Sequence, residues 1–377
     1  MKLLHTGDLH LDSAFHQYGV LGGEAMRERG RAVLRRIFAL AEAEQCDLIL
    51  IAGDLFDSRV VTHETEMLFC SLVTRFQRPV LVSPGNHDPY EAGSFYAKDG
   101  LPENLYVFNS KEVQCYEFPE CNVAVYGYAF SGAAMPDRPL LTAQAPEKAE
   151  GEVRLLCAHG DLSDPLSKYA PVTRSDLDKF AFDYAAMGHV HNRSGSLEQA
   201  RYCGFPEGRS FDEEGEGGVW LVTVENGETE IRRCITSEYA FYIRELDVSG
   251  ANSPEEILSA AEGIASQWEG EVCNRICLRL VLTGMTSDRT VEEVLLRGFS
   301  FGNRFASFEV KDRTVPTLNG AYLAKDTGIR GAFYRTLAPK LESDDPAERQ
   351  RALYALRIGL LAIEDKNFVD LKGETTV

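Results

Sequence analysis

The sequence predicts an α/β fold whose first half is a mainly parallel β-sheet. Three apolar runs have the length and composition of buried strands: "KLLHT" (2–6), "DLILIAG" (47–53) and "PVLVSPG" (79–85). Stretches with helical spacing of apolar residues separate these runs, at 24–45 and 63–76. Because strand–helix–strand units cross over in the right-handed sense, this alternation predicts parallel neighbouring strands. Further strands, shorter and partly antiparallel, are expected at 121–130, 153–158, 183–187 and 218–225.

The pattern changes after residue 237. Strands at 241–248 and 274–284, each followed by a helical stretch, predict a second and smaller α/β unit. From residue 321 two amphipathic helices are expected. Their apolar stripe comprises Ala352, Leu353, Leu356, Leu360 and Ile363. The expected domains are 1–237, 238–318 and a C-terminal helical segment, 319–377.

Composition and charge exclude some classes of protein. The chain has 377 residues, 44% of them hydrophobic, which is enough for a sizeable core in two or more domains. No apolar stretch reaches the roughly 20 residues that span a bilayer, and the nine cysteines include no CxxC pair. We therefore expect a reduced, cytoplasmic protein without a membrane segment. The net charge of −19 argues against a broad, nonspecific nucleic-acid surface but leaves nucleic acid open as a substrate.

Five short motifs follow the apolar runs, and most of them contain a glycine. They are "HTGDLHLD" (5–12), "AGDLFD" (52–57), "SPGNHDPY" (83–90), "CAHGD" (157–161) and "MGHVHN" (187–192). Because the carboxyl ends of strands line the ligand crevice of an α/β sheet, their polar side chains are expected to converge. The converging candidates are Asp8, His10, Asp54, Asn86, His159, His189 and His191.

These seven side chains have the chemistry of a metal site. They offer oxygen and nitrogen but no thiolate, which suits manganese first, with iron or zinc as alternatives. One ion needs about four protein ligands, so seven candidates indicate two ions with one carboxylate, Asp54, shared between them. Only Asp8 and Asp54 carry negative charge, so a site with two divalent cations stays net positive. Such a site attracts an anion, and a pair of ions is typical of phosphoryl chemistry.

The motif series "GDLHLD", "GDLFD", "GNHD", "HG" and "GHVH" resembles the calcineurin-like metallophosphoesterase superfamily. Together with the later segment "GFPEGRSFDEEGEGG" (204–218), it is similar to the SbcD-type DNA repair exonucleases, in particular their YhaO-like branch. The resemblance covers residues 1 to about 225. It implies a two-sheet sandwich flanked by helices, followed by a small α/β capping domain, and hydrolysis of DNA phosphodiesters by metal-activated hydroxide.

The resemblance also implies roles for individual residues. One ion would be held by Asp8, His10, Asp54 and His191, and the second by Asp54, Asn86, His159 and His189. His87 would lie beside the leaving group as a proton donor. Asp57 would orient His87, and Asp88 would fix the loop behind the ligands. For Asp57 and Asp88 alike, capping of a turn is an equal alternative to a role in catalysis. Arg209 is expected to form a surface salt bridge rather than to contact phosphate.

Two questions of function stay open at this point. A small-molecule phosphodiesterase, for example one acting on cyclic nucleotides, would share every ligand, and only the segment 204–218 and the C-terminal region count against it. A protein Ser/Thr phosphatase fits less well, because Ser58 and Asp88 stand where that group has Arg and Glu.

The partners of the chain are the second open question. The C-terminal stripe would either pack within this chain or dock onto a coiled-coil ATPase of the SbcC type. Association of two copies into a homodimer is also open.

Overall fold

The computed structural model describes residues 1–15, 19–58, 60–193, 195–286, 288–316 and 320–363. The chain divides into two compact units. The first comprises Met1–Ile243, Glu271–Leu278 and Phe305–Ser307, and the second comprises Arg244–Gly270, Arg279–Arg304 and the chain from Phe308 onward. The three-part division with boundaries after 237 and 318 stays a prediction.

Most of the strands expected in the first half are present. The strands up to residue 247 are β1 Lys2–Thr6, β2 Leu48–Ile51, β3 Val80–Val82, β4 Leu105–Val107, β5 Gln114–Phe118, β6 Val123–Gly127, β7 Val153–His159, β8 Tyr184–Gly188, β9 Ala200–Tyr202, β10 Gly215–Glu225 and β11 Glu228–Asp247. The helices of the same stretch are α1 Gly19–Ala43, α2 His63–Phe76, α3 Pro139–Thr142 and α4 Arg174–Phe180. The later elements are α5 Pro254–Ala265, β12 Ile276–Thr283, β13 Met285–Thr286, α6 Asp288–Arg297, β14 Ser307–Asp312, β15 Val315–Pro316, α7 Gly320–Lys325, α8 Ile329–Leu341 and α9 Pro346–Ile363.

Two sheets carry the fold. The larger has eight strands in the order β14-β12-β11-β10-β1-β2-β3-β4, and the smaller has five in the order β5-β6-β7-β8-β9. Strands β1 to β4 pair in parallel, as do β6 to β9, whereas β10 joins β1 in the antiparallel sense and β5 joins β6 likewise. The α/β prediction and its two-sheet sandwich flanked by helices are confirmed.

The central strands are apolar throughout because both of their faces are buried. In β2, Leu48 and Leu50 pack into the core between the two sheets, while Ile49 and Ile51 pack outward against α1 and α2. The smaller sheet fills the same inter-sheet core from the other side, through residues such as Leu155 of β7. Burial on both faces is the usual condition of parallel strands, and it explains why no polar–apolar alternation is visible here.

The basic stretch in α1 is held by carboxylates rather than left to solvent. Arg31, which is buried, pairs with Glu28 at 2.8 Å and with Glu24 at 2.9 Å. Arg35 also pairs with Glu28, at 2.9 Å. These ion pairs allow the guanidinium of Arg31 to lie inside the fold.

The C-terminal helices pack on one another in the second unit. Leu356 and Leu360 of α9 form a buried cluster with Leu323 of α7, and side chains of α8 such as Phe333 and Leu337 cover it. Two leucines of the predicted stripe are thus buried against other helices of the same chain. No helix in the described part of the chain is long and apolar enough to cross a membrane.

Candidate metal centre

The five motifs meet at the carboxyl ends of strands from both sheets. Asp8 and His10 follow β1, Asp54 follows β2, and Asn86 follows β3. His159 is the last residue of β7, and His189 and His191 follow β8. Parallel strands end at the same edge, so residues far apart in sequence become neighbours there.

The carboxylate of Asp54 lies between histidines of two different motifs. Its Oδ2 is 3.7 Å from Nε2 of His10 and 3.5 Å from Nε2 of His159. Its other oxygen, Oδ1, accepts the backbone N–H of His87 at 2.9 Å. One oxygen of a buried carboxylate is therefore fixed by the chain while the other faces two imidazole nitrogens, which is the arrangement that a bridging ligand requires.

His10 and His191 point the same kind of atom at each other. Their Nε2 atoms are 3.2 Å apart. The Nδ1 of His10 is 2.9 Å from Asp57 Oδ1, and the Nδ1 of His191 is 2.8 Å from Glu213 Oε1, so a carboxylate holds each Nδ1–H. Both Nε2 atoms then face the same space, where either a proton on His191 or a metal ion can lie between them. Carboxylate–histidine pairs of this kind orient metal ligands in proteins.

His159 is fixed in the same tautomer by the backbone. Its Nδ1–H donates to the carbonyl oxygen of Ala52 at 3.0 Å, so its Nε2 is the atom free to ligate. That Nε2 lies 3.0 Å from the side-chain oxygen of Asn86 and close to Asp54. Asn86, His159 and Asp54 thus come together as predicted for the second ion.

Asp8 and His189 are linked through the backbone. Both oxygens of Asp8 accept the N–H of His189, at 3.0 and 3.1 Å, and Oδ2 also accepts the thiol of Cys203 at 3.2 Å. Burial raises the pKa of Asp8, although the neighbouring histidines oppose this. The His189 ring packs 5.2 Å from that of His159 and 4.5 Å from that of Tyr169.

Burial keeps two of the predicted histidine ligands in the neutral form. Burial, reinforced by the charge of Arg209, lowers the pKa of His10 well below its usual value. Burial likewise lowers the pKa of His189 to about 4. Burial also opposes the charged form of His191, but its bond to Glu213 and the charge of Asp8 outweigh this and raise its pKa. Neutral imidazole is the form that binds metal, so His10 and His189 are ready to ligate, whereas His191 must give up its proton to do so.

Three sets of side chains could each hold an ion, with one ligand atom per residue and all atoms within 4.8 Å of one another. The sets are Asp8–His10–His191, His10–Asp54–His87 and Asp8–Asp54–His159. Among the described residues no such set includes His189. The donors are carboxylate oxygen and imidazole nitrogen, mostly buried, and several are hydrogen-bonded from behind, so the residues fit divalent cations. The assignment of each ligand to one of two ions stays a prediction.

The backbone of the site is held in costly conformations. Four of the predicted ligands have positive φ: Asp8 (48°), His10 (45°), Asp54 (47°) and His189 (103°). Each such residue costs on the order of 1–3 kcal/mol. Gly53 has φ of 83°, and a Cβ at this position would collide with the ring of His159. The glycine of this motif is thus needed both for its backbone freedom and for the close approach of His159.

Comparison with known proteins agrees with this geometry. Residues 1–193, slightly more than half of the 377-residue chain, match the calcineurin-like phosphoesterase family. The chain belongs to this family. Metallophosphoesterases use divalent metal ions, and this phosphoesterase brings candidate ligands for them together at the edge of its two sheets.

Individual proteins resemble this chain only at low sequence identity. The uncharacterized metallophosphoesterase YhaO of Bacillus subtilis (strain 168) is 28% identical over 309 residues, which cover 78% of this phosphoesterase and 74% of YhaO. A solved structure of a novel archaeal phosphodiesterase has 12% identity and a TM-score of 0.34, with 62% of this chain and 100% of that one covered. Vacuolar protein sorting 29 from Cryptosporidium parvum has 11% identity and a TM-score of 0.27, with 62% and 96% covered.

Asp57 and His87, the predicted catalytic residues, lie at the rim of the phosphoesterase site. Asp57 Oδ1 is 3.5 Å from His87 Nδ1, but it is closer, at 2.9 Å, to His10 Nδ1. Asp57 therefore contacts a predicted ligand as well as the residue it was expected to orient. The His87 side chain is 45% exposed, and its ring stands edge-on to that of His10 at 4.7 Å. An incoming substrate can reach His87 from solvent.

Two residues near the site were not recognised as parts of it from the sequence. Glu213, which is buried, accepts the Nδ1–H of His191 and pairs with Arg209 at 2.6 Å. Burial opposes ionisation of Glu213, but His191 and Arg209 outweigh it and lower its pKa to about 2. Arg209 Nη1 also lies 3.7 Å from Asp57 Oδ1, so its salt bridge belongs to the site and not to the surface. In the sequence, only the segment 204–218 pointed to these two residues. It contains several carboxylates, and the sequence alone does not identify the one that faces the site.

We expect Asp54→Ala to abolish binding of both metal ions, because its Oδ2 faces ligands from both predicted sites. Asp8→Ala should mainly weaken one ion, and Asp99→Ala, an exposed aspartate on a loop, should change nothing. Metal content after dialysis against manganese, measured by mass spectrometry, checks this, with circular dichroism to show that each variant is folded. An unchanged metal content in a folded Asp54→Ala protein would contradict the bridging assignment.

Glu213→Gln tests the carboxylate behind His191. The amide can still accept the Nδ1–H, but it loses the charge that raises the basicity of the ring, so manganese affinity should fall by about 10–100-fold. Isothermal titration of the metal-depleted protein measures this. Glu225→Gln, which changes an exposed carboxylate at the end of β10, is the matched control. If the two variants bind manganese with equal affinity, Glu213 is a structural partner of Arg209 and does not affect metal binding through His191.

Proposed function

We propose that this phosphoesterase is a dinuclear-metal phosphodiesterase that cleaves DNA, as an exonuclease or endonuclease of the SbcD type in DNA repair. Phosphodiester hydrolysis is supported above all by the position of Asp54 Oδ2 between the Nε2 atoms of His10 and His159. Two sets of ligands with one shared carboxylate would hold two divalent ions. When bound, such ions supply Lewis-acid activation of water and of the phosphoryl oxygens.

Residues of the chain would then supply a proton for the leaving group and further positive charge. His87, exposed at the rim, is placed to donate a proton to the leaving oxygen, and the backbone carbonyl of Asp57, 3.3 Å from its Nδ1, holds the ring. The guanidinium of Arg209 lies at the same rim and adds positive charge toward an incoming phosphate. Tyr169 and the loop that bears it border His189 on the other side.

DNA is preferred as the substrate because of the segment 204–218. This segment carries the resemblance to the SbcD type, and its Glu213 and Arg209 are bonded to His191 and to each other beside the metal ligands. The segment that carries the SbcD-type resemblance therefore lies beside the predicted metal ligands, which supports DNA as the substrate. A cyclic-nucleotide phosphodiesterase is the second candidate, because it would use the same ligands.

Several finer points belong to the proposal. Manganese is the preferred metal, with iron or zinc as alternatives, and the cytoplasm is the expected location. A coiled-coil ATPase of the SbcC type is the proposed partner. Since Leu356 and Leu360 are buried inside the chain, it would contact the outer faces of α7, α8 and α9, where Tyr322, Ile329 and Tyr354 are exposed. A pull-down with the full-length chain tests for this ATPase.

The choice of substrate can be tested directly. With manganese we expect degradation of linear DNA and little turnover of a cyclic nucleotide, and excess chelator should stop the reaction. Gel electrophoresis of the DNA and chromatography of the nucleotide measure the two rates at equal enzyme concentration. Rapid hydrolysis of the cyclic nucleotide with intact DNA would favour the second candidate, and full activity in chelator would exclude the metal mechanism.

His87→Ala should separate chemistry from binding. We expect manganese content and DNA affinity to stay close to those of the wild type while turnover falls by about 10²–10⁴-fold, the usual contribution of general acid catalysis. The loss should be smaller for an ester with nitrophenolate as leaving group, because that group needs little protonation. His63→Ala, at the exposed start of α2, is the control. A collapse of metal content would instead make His87 a ligand, as one of the three sets of metal-binding side chains allows.

A further inference from the structure

Three arginines of the first unit lie together just beyond the metal ligands. Arg193 is in the loop after β8, two residues past His191, Arg201 is in the short strand β9, and Arg233 is in β11. All three are half-buried. Because consecutive Cα atoms are 3.8 Å apart, the Cα of Arg193 is within about 8 Å of that of His191.

Local contacts place these arginines around one stretch of backbone. The guanidinium of Arg193 lies 5.8 Å from the ring of Phe205, and the N–H of Gly218 donates to the carbonyl of Phe205 at 3.0 Å. A Cβ on Gly218 would be 3.3 Å from Nε of Arg233. Arg193 and Arg233 thus flank the junction of Phe205 with Gly218.

Trp220 connects the third arginine to the other two. Arg201 lies over the Trp220 ring, 6.0 Å from its centroid, and Trp220 is the register partner of Arg233 across β10 and β11. The indole N–H donates to the carbonyl of Tyr202 at 2.9 Å, which fixes the ring beside β9, the edge strand of the smaller sheet. Ile235, two residues after Arg233 on β11, is 42% exposed.

These arginines differ from the other cationic side chains near the site in their lack of counter-ions. Arg209 is paired with Glu213, and Arg29 lies 3.3 Å from Glu207. No carboxylate of the described residues lies within ion-pair distance of Arg193, Arg201 or Arg233. Each also has a buried N–H without a hydrogen-bond acceptor there: Nη1 of Arg193, Nε of Arg201 and Nε of Arg233. Arg233 makes one contact with an acceptor, the carbonyl oxygen of Glu216.

Three half-buried cations without carboxylates are unfavourable unless an anion comes to them. Partial desolvation of a charge is unfavourable when no partner offsets it. In a chain of net charge −19, with 58 acidic residues available, leaving three adjacent guanidinium groups unpaired is a strong exception. Polyanions offer one charge per nucleotide, and aromatic rings among basic side chains are typical of surfaces that bind single strands.

We propose that Arg193, Arg201, Arg233 and Trp220 form a binding track for the phosphate backbone of a single nucleic-acid strand, which leads to the metal centre at the Arg193 end. This proposal rests on the proposed function and extends it by naming where the strand lies outside the scissile phosphate. The arginines would contact successive phosphates, and Trp220 would offer its exposed edge or face to a base. The substrate class would then be a strand of several nucleotides rather than a lone nucleotide.

The test is a binding measurement with Arg201→Gln and Arg233→Gln, which keep polar side chains but remove the charges. The ligand is a fluorescein-labelled single-stranded oligonucleotide with phosphorothioate linkages, titrated with the manganese-loaded protein and followed by anisotropy at several salt concentrations. We expect affinity to fall roughly three- to tenfold for each variant, and the slope of log affinity against log salt to decrease by about 0.7 for each lost phosphate contact. Arg233→Lys should keep most of the slope.

Arg232→Gln is the matched control, because Arg232 is the neighbouring residue on β11, is 54% exposed and is paired with Glu44 at 2.8 Å. It should leave affinity and slope unchanged. A second readout uses the two tryptophans of the chain. In a Trp268→Phe background, Trp220 is the sole tryptophan, and its emission on selective excitation should be quenched when an unlabelled oligonucleotide binds.

The outcomes separate this proposal from the proposed function. If the wild type binds and cleaves the strand but Arg201→Gln and Arg233→Gln bind it as the wild type does, the track is wrong and the nuclease assignment stands. If the wild type neither binds nor cleaves any strand, the nuclease assignment fails and the track fails with it. A loss of affinity equal in Arg232→Gln would also overturn the track, because it would show a general effect of charge.

Discussion

One buried carboxylate, that of Asp88, holds the two loops on which the candidate metal centre is built. Its oxygens accept the backbone N–H groups of Asp54, Phe56 and Gly85 and the hydroxyl of Tyr96, at distances between 2.6 and 3.2 Å. Four donors replace the water that a carboxylate loses on burial, so the group is tolerated inside. With both oxygens engaged, Asp88 is a structural residue of the motif. Because it fixes the N–H of Asp54, it fixes the direction in which that side chain points.

The rest of the site combines strained backbone with imidazole nitrogens that face one another. The positive φ values of Asp8, His10, Asp54 and His189 cost free energy. The sandwich can hold these conformations because its central strands are buried on both faces, so the loops start from fixed ends. Binding of cations would recover part of this cost. Metal affinity and fold stability should therefore be linked in this protein.

The sequence predicted those parts of the molecule in which several independent features of the residues agree. The buried strands and the five motifs were recognised because apolar runs, glycines and metal-binding residue types coincide in each. The edge strands β4, β5 and β9 were missed, because short and half-exposed strands carry little apolar signal. Glu213 was missed for another reason: in "FDEEGEGG" several carboxylates stand together, and only the tertiary structure decides which one reaches His191. The stripe around Leu356 could not be assigned because an amphipathic helix looks alike whether its partner is its own chain or another.

The acidity of the chain and a polyanionic substrate are compatible because electrostatic effects in salt are local. At physiological ionic strength the Debye length is about 8 Å, so carboxylates on remote faces contribute little at the metal centre. The potential felt by a phosphate there depends on the cations of the site and on the nearby guanidinium groups. In the proposed arrangement Arg209 is paired with Glu213, whereas Arg193, Arg201 and Arg233 have no carboxylate partner among the described residues. A chain of net negative charge would then disfavour nonspecific binding elsewhere, while these guanidinium groups hold a strand beside the metal centre.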